Sequence, residues 1–452
     1  MIVLRKRLIF WLAKAYLKRW GKNIIYFFAI GLVVFFVLKF ALGSFVAHFP
    51  FVKKETIGMV GPYTVDDLPD EIFQKISRGL TKTLKDGKIE PDIAEKWKIA
   101  PSGKAYAIYL KKGVYFSDGT PVTSDNINYD FSDVSILKPD KYTIVFNLKD
   151  VYSPFLVTLT RPIFKKGTTG LGDYKVKRIK LNGNFVESIE LYSEKLKKAF
   201  IYQMLYPTSN SLKTAFVMGE TSKIVGLMDV DYQDTSFKDF KNINIEKKTN
   251  YDRLVTLFYN TKDSIVSSKT LREGLWYSMP DIFPQGERNP SPLPSFSYAN
   301  DAGPGYFKQD LEHAKLLIDK ANTATDSSKI VLNISTLPKY KVSAEQIAQI
   351  WKKLNIDVKV TVVDKIPPTF QIFLGEFNVP LDPDQYTLWH SDQISNITHY
   401  SNLRIDKILE DGRKELDIEK RKLLYADFQK YIAADPPASF LFFPYTYEVS
   451  RK

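Results

Sequence analysis

The sequence predicts a mixed α/β protein of two or three domains standing behind one transmembrane helix. Three observations carry that expectation. Beyond about residue 54 the apolar residues recur sometimes every second position and sometimes with a period near 3.6, which marks strands and helices together rather than an all-β array. Ahead of that region lies an apolar run longer than a core helix needs. The length is 452 residues, 44% hydrophobic and 25% charged, which supplies several cores and excludes a disordered or collagen-like chain. There is no cysteine, so disulfide frameworks, thiol nucleophiles, Cys-ligated zinc and lipid attachment through cysteine are excluded.

The elements follow in order. From Leu8 to Trp20, Leu8, Trp11, Leu12, Ala15 and Tyr16 alternate with Lys14, Lys18 and Arg19, the pattern of an interfacial amphipathic helix or of a solvated basic tail. Ile24 to Leu38 is uncharged, and after Lys39 the apolar character continues from Phe40 to Val52, broken by His48. A span needs roughly 20 residues, and Lys39 near one end can carry its ammonium to the interface. Seven of the ten basic residues in 1–54 precede this run and no acid does, so the positive-inside rule predicts a cytoplasmic N-terminus. Everything after about residue 50 then stands outside the cell membrane. The competing reading, a cleaved signal peptide, has Ala41-Leu42-Gly43 as its best cleavage site.

The formal net charge of +13 suggests nucleic acid until it is located. Past residue 54 the chain carries 54 basic and 51 acidic residues, so no global positive field draws a polyanion to the body, and nucleic-acid binding is set aside.

Lys104 to Leu110 reads as a strand, Lys111-Lys112-Gly113 as a turn, Val114 to Phe116 as a second strand, and Ser117 to Pro121 as another turn. Tyr142, Ile144, Phe146 and Leu148 alternate as a further strand, making this region β-rich. Met279 to Gly305 is rich in Pro, Gly, Ser and Asn and predicts a long irregular loop. Asp310 to Ala321 reads as a helix with Leu311, Ala314, Leu317, Ile318 and Ala321 inward. Ile330, Leu332 and Ile334 then alternate, Ser343 with Gln346 forms an S-x-x-Q capping box, and Ile356 to Val362 alternates again. Strand, helix and strand at this spacing predict a βαβ unit. Asp417 to Ala433 is a last helix with Leu424, Phe428, Tyr431 and Ile432 inward, stopped by Asp435-Pro436-Pro437 before a buried strand from Ala438 to Phe443.

Catalytic chemistry is sparse. There is no G-x-S-x-G, H-E-x-x-H or Walker A motif, and Gly167 to Gly172 reads as a turn because no Lys-Ser/Thr follows it. Of the four histidines only His390 and His399 lie close in sequence, too little for a metal site, and no cofactor is implied. Asp382 and Asp384 flank Pro383 where both carboxylates can face a cleft, although Asp-Pro-Asp is also ordinary turn chemistry. Tyr386, Trp389 and Tyr400 offer flat apolar faces nearby.

Glu90-Pro-Asp-Ile-Ala-Glu-Lys-Trp97, Pro101-Ser-Gly-Lys104 and Gly113-Val-Tyr-Phe-Ser-Asp-Gly-Thr-Pro-Val-Thr123 together resemble the signature region of family 5 extracellular solute-binding proteins. These are the oligopeptide-, dipeptide- and nickel-binding components of ABC transporters. Ser153-Pro-Phe155, Gly170 to Val176, Leu257-Phe-Tyr-Asn260 and Leu271 to Tyr277 follow in the family's order. So do Asp382-Pro-Asp-Gln-Tyr386, Trp389, Asn396 to Tyr400, Asn402, Ile405-Asp406, Arg421, Tyr425, Gln429 and Asp435-Pro-Pro437.

The resemblance implies a two-lobed, periplasmic-binding-protein-like (type II) α/β fold with a β-rich inserted subdomain, working by hinge closure without catalysis. It divides the chain into a basic segment 1–23, an anchor 24–52, a first lobe 55–250 with the insertion at about 69–160, a second lobe 251–424 and a C-terminal helix and strand 425–452. The ligand is a peptide or other small solute, and the partners are separate ABC permease and ATPase subunits. A carboxylate near Asp-Pro-Asp is implied to hold a ligand amine, with Glu376, Asp382 and Asp384 as the options and Tyr386, Trp389 and Tyr400 packing on the ligand. The alternative is a repurposed binding domain acting as a surface scaffold or sensor. A hydrolase has only clustered acids behind it. With an uncleaved anchor, N-terminal sequencing of the mature protein will give a start before residue 40; a start beyond it would mean a signal peptide.

Overall fold

The computed structural model describes residues 6–48, 53–301, 308–324 and 329–452. The chain divides into two compact units, Met1–Lys53 and Lys54–Lys452. The first holds the helix Lys6–His48, whose Phe27, Phe28 and Phe35 side chains are exposed. It is not the single straight span expected. Lys14–Asn23 and Ile25–Lys39 are bent by 53° to one another, and among the described residues no single helix is long and apolar enough to cross a membrane, whereas this bent pair is so together. Gly21 and Asn23, both weak helix formers, stand at the bend.

The second unit is organised by a twelve-stranded sheet in which one strand, Ala438–Arg451, is common to two halves. Its first part pairs antiparallel with Arg253–Tyr259, beyond which lie Ile372–Asn378, Val331–Thr336 and Asp357–Val362. Its second part pairs antiparallel with Lys223–Leu227 and Ile243–Thr249. Beyond Lys223–Leu227 come Lys53–Val60, Lys198–Tyr206, Phe185–Ser193 and Lys175–Asn182. The strand therefore runs eight residues past the expected end at Phe443. Pro444 has no N–H to give a ladder and occupies the point where the strand passes between halves, and its carbonyl accepts from the Asn250 N–H at 2.9 Å. Asn250 opens the short turn that carries the chain from Ile243–Thr249 into Arg253–Tyr259. Two adjacent strand crossings thus join the lobes.

The β-rich region is a separate four-stranded sheet, Ala94–Ile99, Ala105–Leu110, Thr143–Leu148 and Val134–Asp140 in spatial order. The alternation read in its sequence puts Tyr106, Ile108, Ile144 and Phe146 into one core with Phe155. Val114 to Phe116 is not a strand. Tyr115 makes one isolated bridge to Pro121, because the Phe116 N–H closes on the Thr120 carbonyl at 2.8 Å around Gly119, which sits at φ +83°. The Gly167–Gly172 segment is a turn, with the Thr169 N–H donating to the Lys166 carbonyl at 3.1 Å.

The βαβ unit is present: Val331–Thr336 pairs parallel with Asp357–Val362 across the helix Lys341–Lys353. The capping box is not. A short 3-10 turn, Pro338–Tyr340, starts the helix earlier, so Ser343 is buried in its first turn and donates to Gln285 Oε1 at 2.7 Å, while Gln346 donates to the Ile282 carbonyl at 2.9 Å. Both side chains tie down the irregular 279–301 segment instead. The helix Leu311–Ala324 is capped by Asp310, whose carboxylate accepts from the His313 N–H at 2.8 Å; Leu311 is exposed, not inward. In the last helix, Ile418–Ala434, the buried face is Arg421, Tyr425, Phe428, Gln429 and Ile432, rotated from the apolar stripe read in the sequence.

Trp351 is fully buried in the second lobe and its indole N–H donates to Ser278 Oγ at 2.7 Å. Trp351→Ala is expected to cost about 3–5 kcal/mol, read as a shift of the second lobe's transition in urea.

Candidate functional site

The acids singled out in the sequence are placed by local turn chemistry. Asp382 Oδ1 accepts from the Asp384 N–H at 2.9 Å, and Asp384 Oδ1 accepts from the Tyr386 N–H at 3.0 Å. That arrangement aims both carboxylates inward, and each meets an arginine. Arg421, from the rotated face of helix Ile418–Ala434, grips Asp382 through both terminal nitrogens, one of them at 2.6 Å. Burial works against the Arg421 charge, but the Asp382 bond overcomes it and holds the guanidinium above its ordinary value. Asp384 Oδ2 accepts from Arg413 Nε at 2.8 Å; burial raises its carboxyl above the usual range, and the Arg413 charge draws it back.

Both pairs reach across to the first lobe and its insertion. Arg421 donates to the Tyr298 hydroxyl at 2.9 Å, and the Tyr298 N–H donates to the Asp86 carbonyl at 2.8 Å. Burial pushes the Tyr298 hydroxyl up to about 12. The Arg413 guanidinium lies 4.0 Å from the Tyr386 ring centroid and 5.6 Å from that of Tyr152, and the Arg413 carbonyl accepts from the Ser153 N–H at 2.7 Å. Asp382 and Asp384 are thus joined to Asp86 and Ser153 through one arginine each.

The remaining predicted residues are also engaged. One oxygen of Glu376 accepts from Lys339 Nζ at 2.7 Å and the other from the Tyr340 hydroxyl. Trp389 is buried at 1% exposure against Phe440 and donates to Gln385 Oε1 at 3.1 Å. Tyr400 is buried at 3%, donating to Asp435 Oδ2 at 3.2 Å. Tyr386 stacks on His390 with centroids 4.2 Å apart, and the His390 imidazole accepts from the Asp392 N–H at 3.2 Å. Asp118 in the Phe-Ser-Asp-Gly turn bonds Thr120 and Lys165 as a scaffold residue.

Between the lobes lies a cavity of about 380 Å³. Its walls are the hairpin residues Thr83 to Gly87, the crossing residues Tyr251 and Asp252, Leu293 to Ser297, and Val379 to Leu381 with Pro383. Tyr251 meets Phe296 and Phe443 edge-on at 4.9 and 5.2 Å, forming an aromatic wall, and its hydroxyl donates to Glu287 at 3.0 Å.

Asp252 is the residue that sequence reading missed. Its backbone N–H bonds Asn250 Oδ1 at 3.1 Å and its carbonyl accepts from the Val379 N–H at 3.0 Å, which sets it beside the 376–380 segment. Among the described residues no hydrogen bond or ion pair is made by its carboxylate. Although the side chain reaches solvent, burial by surrounding atoms and the Asp70 charge raise its carboxyl above the ordinary range, and Arg253 draws it back. The Arg253 guanidinium also lowers the hydroxyls of Tyr63 in the first lobe and Tyr340 in the second, both raised chiefly by burial. The site therefore offers an apolar chamber with one cation-seeking carboxylate at its edge. Nothing in the local spacing Asn250-Tyr251-Asp252 distinguishes it from a surface turn; only the crossing of the lobes there does.

The sequence model of the bacterial extracellular solute-binding proteins, family 5 Middle, matches residues 88–396. The oligopeptide-binding protein AppA of Bacillus subtilis is 24% identical over 461 residues, covering 84% of this chain and 83% of its own. The periplasmic oligopeptide-binding protein OppA of Salmonella typhimurium is 23% identical over 455 residues, covering 83% of each. Among solved structures, the ABC transporter substrate-binding protein CtaP of Listeria monocytogenes superposes with a TM-score of 0.71 at 19% identity, over 88% of this chain and 94% of that one. NikZ of Campylobacter jejuni, solved with Ni(L-His), gives 0.68 at 19% identity over the same shares. These likenesses show the two-lobed fold.

The Asp382–Arg421 pair predicts its own mutant signature. Asp382→Leu or Arg421→Met alone is expected to cost about 3–5 kcal/mol, because the partner charge stays buried, whereas Asp382→Leu with Arg421→Met recovers most of it. Urea melts of the four proteins measure this cycle; a single variant that loses solute affinity at unchanged stability would instead make Asp382 a ligand group.

Proposed function

The chain belongs to the bacterial extracellular solute-binding proteins of family 5, and on that premise we propose that it captures a peptide-like solute between its lobes. In this reading it is held to the outer face of the cell membrane by its N-terminal helix, and it passes the solute to a separate permease driven by its own ATPase. The observation that carries the proposal is the 380 Å³ interlobe cavity with Asp252 at its edge. Its volume falls near the lower end of the roughly 300–1,000 Å³ typical of ligand pockets, which suits a short peptide. The Tyr251–Phe296–Phe443 wall would take an apolar side chain, and Asp252, beside Asp70, would pair the ligand's amine.

Two features support the mechanics. Among the described residues two neighbouring strand crossings, at Asn250–Asp252 and at Pro444, link the halves of the sheet, so the lobes can rotate about them with few dihedral changes. The exposed aromatic run of Lys6–His48 needs an apolar medium, and the seven preceding basic residues favour a cytoplasmic start. The peptide class draws on the relatives named as oligopeptide-binding proteins.

Native mass spectrometry and calorimetric titration of the Lys54–Lys452 unit with short-peptide pools test the reading. A bound peptide is expected, and Asp252→Asn should weaken it by about 10- to 100-fold, the loss of one charge-assisted bond. Only an ionised Asp252 pairs a cation, so affinity should be full above its raised value and fall as pH drops through it, while the Asn variant stays flat. An empty protein that ignores every pool would sink the solute reading and favour the scaffold.

A further inference from the structure

The lysines of the second unit are unevenly placed, and the sheet register shows where they gather. Lys53–Val60 runs parallel to Lys223–Leu227, with Ile57 opposite Lys223. The Gly61 N–H bonds the Tyr206 carbonyl at 3.0 Å, so the C-terminal end of Lys198–Tyr206 lies beside that of Lys53–Val60, and Lys198 lies at the level of Lys53. Lys198 pairs with Ser193, and Lys175 with Tyr192. On the other side Lys223 pairs with Ser450, and Arg451 with Ile243. One end of the first-lobe sheet therefore collects Lys54, Lys175, Lys195, Lys197, Lys198 and Lys241, from four separate stretches of sequence. All six are exposed.

The acids at that end are fewer. Asp173 pairs with Lys195 at 3.5 Å, Glu194, Glu220 and Asp239 are exposed, and Glu55 is half-buried near Tyr174 and Tyr202. Past residue 54 the chain is nearly balanced, with 54 basic and 51 acidic residues, so a gathering of lysines at one end of a sheet stands out. The hairpin tip also offers Leu196, 44% exposed between Lys195 and Lys197. An apolar residue ringed by ammonium groups suits an interface of charged headgroups over hydrocarbon.

This end is also the one at which the chain enters the unit from the N-terminal helix. The interlobe crossing at Thr249–Arg253 lies at the opposite end, roughly 25 Å away along an eight-residue strand. We infer that the lysine rim docks the first lobe on an anionic lipid surface, the headgroup layer of the membrane that holds the helix. This inference rests on the anchored reading given above. Docking would fix the first lobe near the bilayer and leave the second free to swing at the far end.

The Lys54–Lys452 unit contains all five apolar cores, the first core residue being Ile57, so it carries what it needs to fold alone. Its cosedimentation with phosphatidylglycerol vesicles and with phosphatidylcholine vesicles tests the rim. Partition is expected onto the first only, and about 0.5 M salt should abolish it. The triple variant Lys195→Gln, Lys197→Gln, Lys198→Gln should lower it about 100-fold, whereas Lys96→Gln, Lys98→Gln, Lys112→Gln on the inserted subdomain should change it less than about twofold. Equal partition onto both vesicles, no partition at low salt, or equal loss in the two triple variants would overturn the inference. The anchor is tested separately by carbonate extraction of full-length protein from membranes. Retention there, with no vesicle binding by the unit, would sink the rim alone.

Discussion

One strand belongs to both lobes, and most of the architecture follows from that sharing. Ala438–Arg451 is buried on both faces over its first half and hydrogen-bonds neighbours from two different sets of strands along its length. Such a strand cannot shift register by one residue without exchanging the side chains that fit its two cores. It therefore fixes where the lobes meet, and the neighbouring turn at Asn250–Asp252 has to cross beside it. The cavity is built from that crossing: Tyr251 and Phe443, one from each crossing strand, pack together at 5.2 Å. Asp252 points from the same turn because its backbone is held on both sides, by Asn250 and Val379.

The distribution of charge near the cavity follows from desolvation. A carboxylate taken out of water must be paired, or it will protonate. Asp382, Asp384 and Glu376 are each matched to a cation, and in each case both carboxylate oxygens accept a hydrogen bond. Such pairs add little stability over well-packed apolar residues, but they are costly to break singly, so they hold position. Asp252 follows another rule. It keeps contact with water, is crowded by Asp70, and gains most from a cation brought in from outside.

Much of this fold was legible in the sequence, for reasons that differ by element. Ile144 and Phe146, Leu332 and Ile334, and the apolar face of Lys341–Lys353 obey local periodicity because each packs on a single core. The last helix misled because its buried face includes Arg421 and Gln429, which a polarity pattern assigns to solvent. Their burial depends on partners 39 and 130 residues away, Asp382 and the Ala299 carbonyl. The last strand was read only as far as Phe443, whereas it continues through Pro444, which falls where the strand changes neighbours. The Asp-Pro-Asp motif was read both as a pair of cleft-facing acids and as turn chemistry; the turn bonds are local, but its two arginines lie on helices that nothing local connects to it. Asp252 was invisible because its place at the cavity edge is created by topology, not by its own neighbours.

The interlobe bonds bear on how a solute is held. The Tyr298 N–H to the Asp86 carbonyl and the Ser153 N–H to the Arg413 carbonyl are made between the protein's own groups. In the proposed clamp they would favour the arrangement seen here whatever fills the cavity. A ligand shifts an open-to-closed equilibrium only by its differential affinity for the two states, so each such bond lowers what the ligand must supply. The chamber can then be apolar and undemanding in shape, with direction given by a single carboxylate. In the proposed reading, a clamp built this way would suit a set of short peptides sharing a free amine better than one tightly defined molecule, since the protein would contribute to closure and the solute's side chains need not.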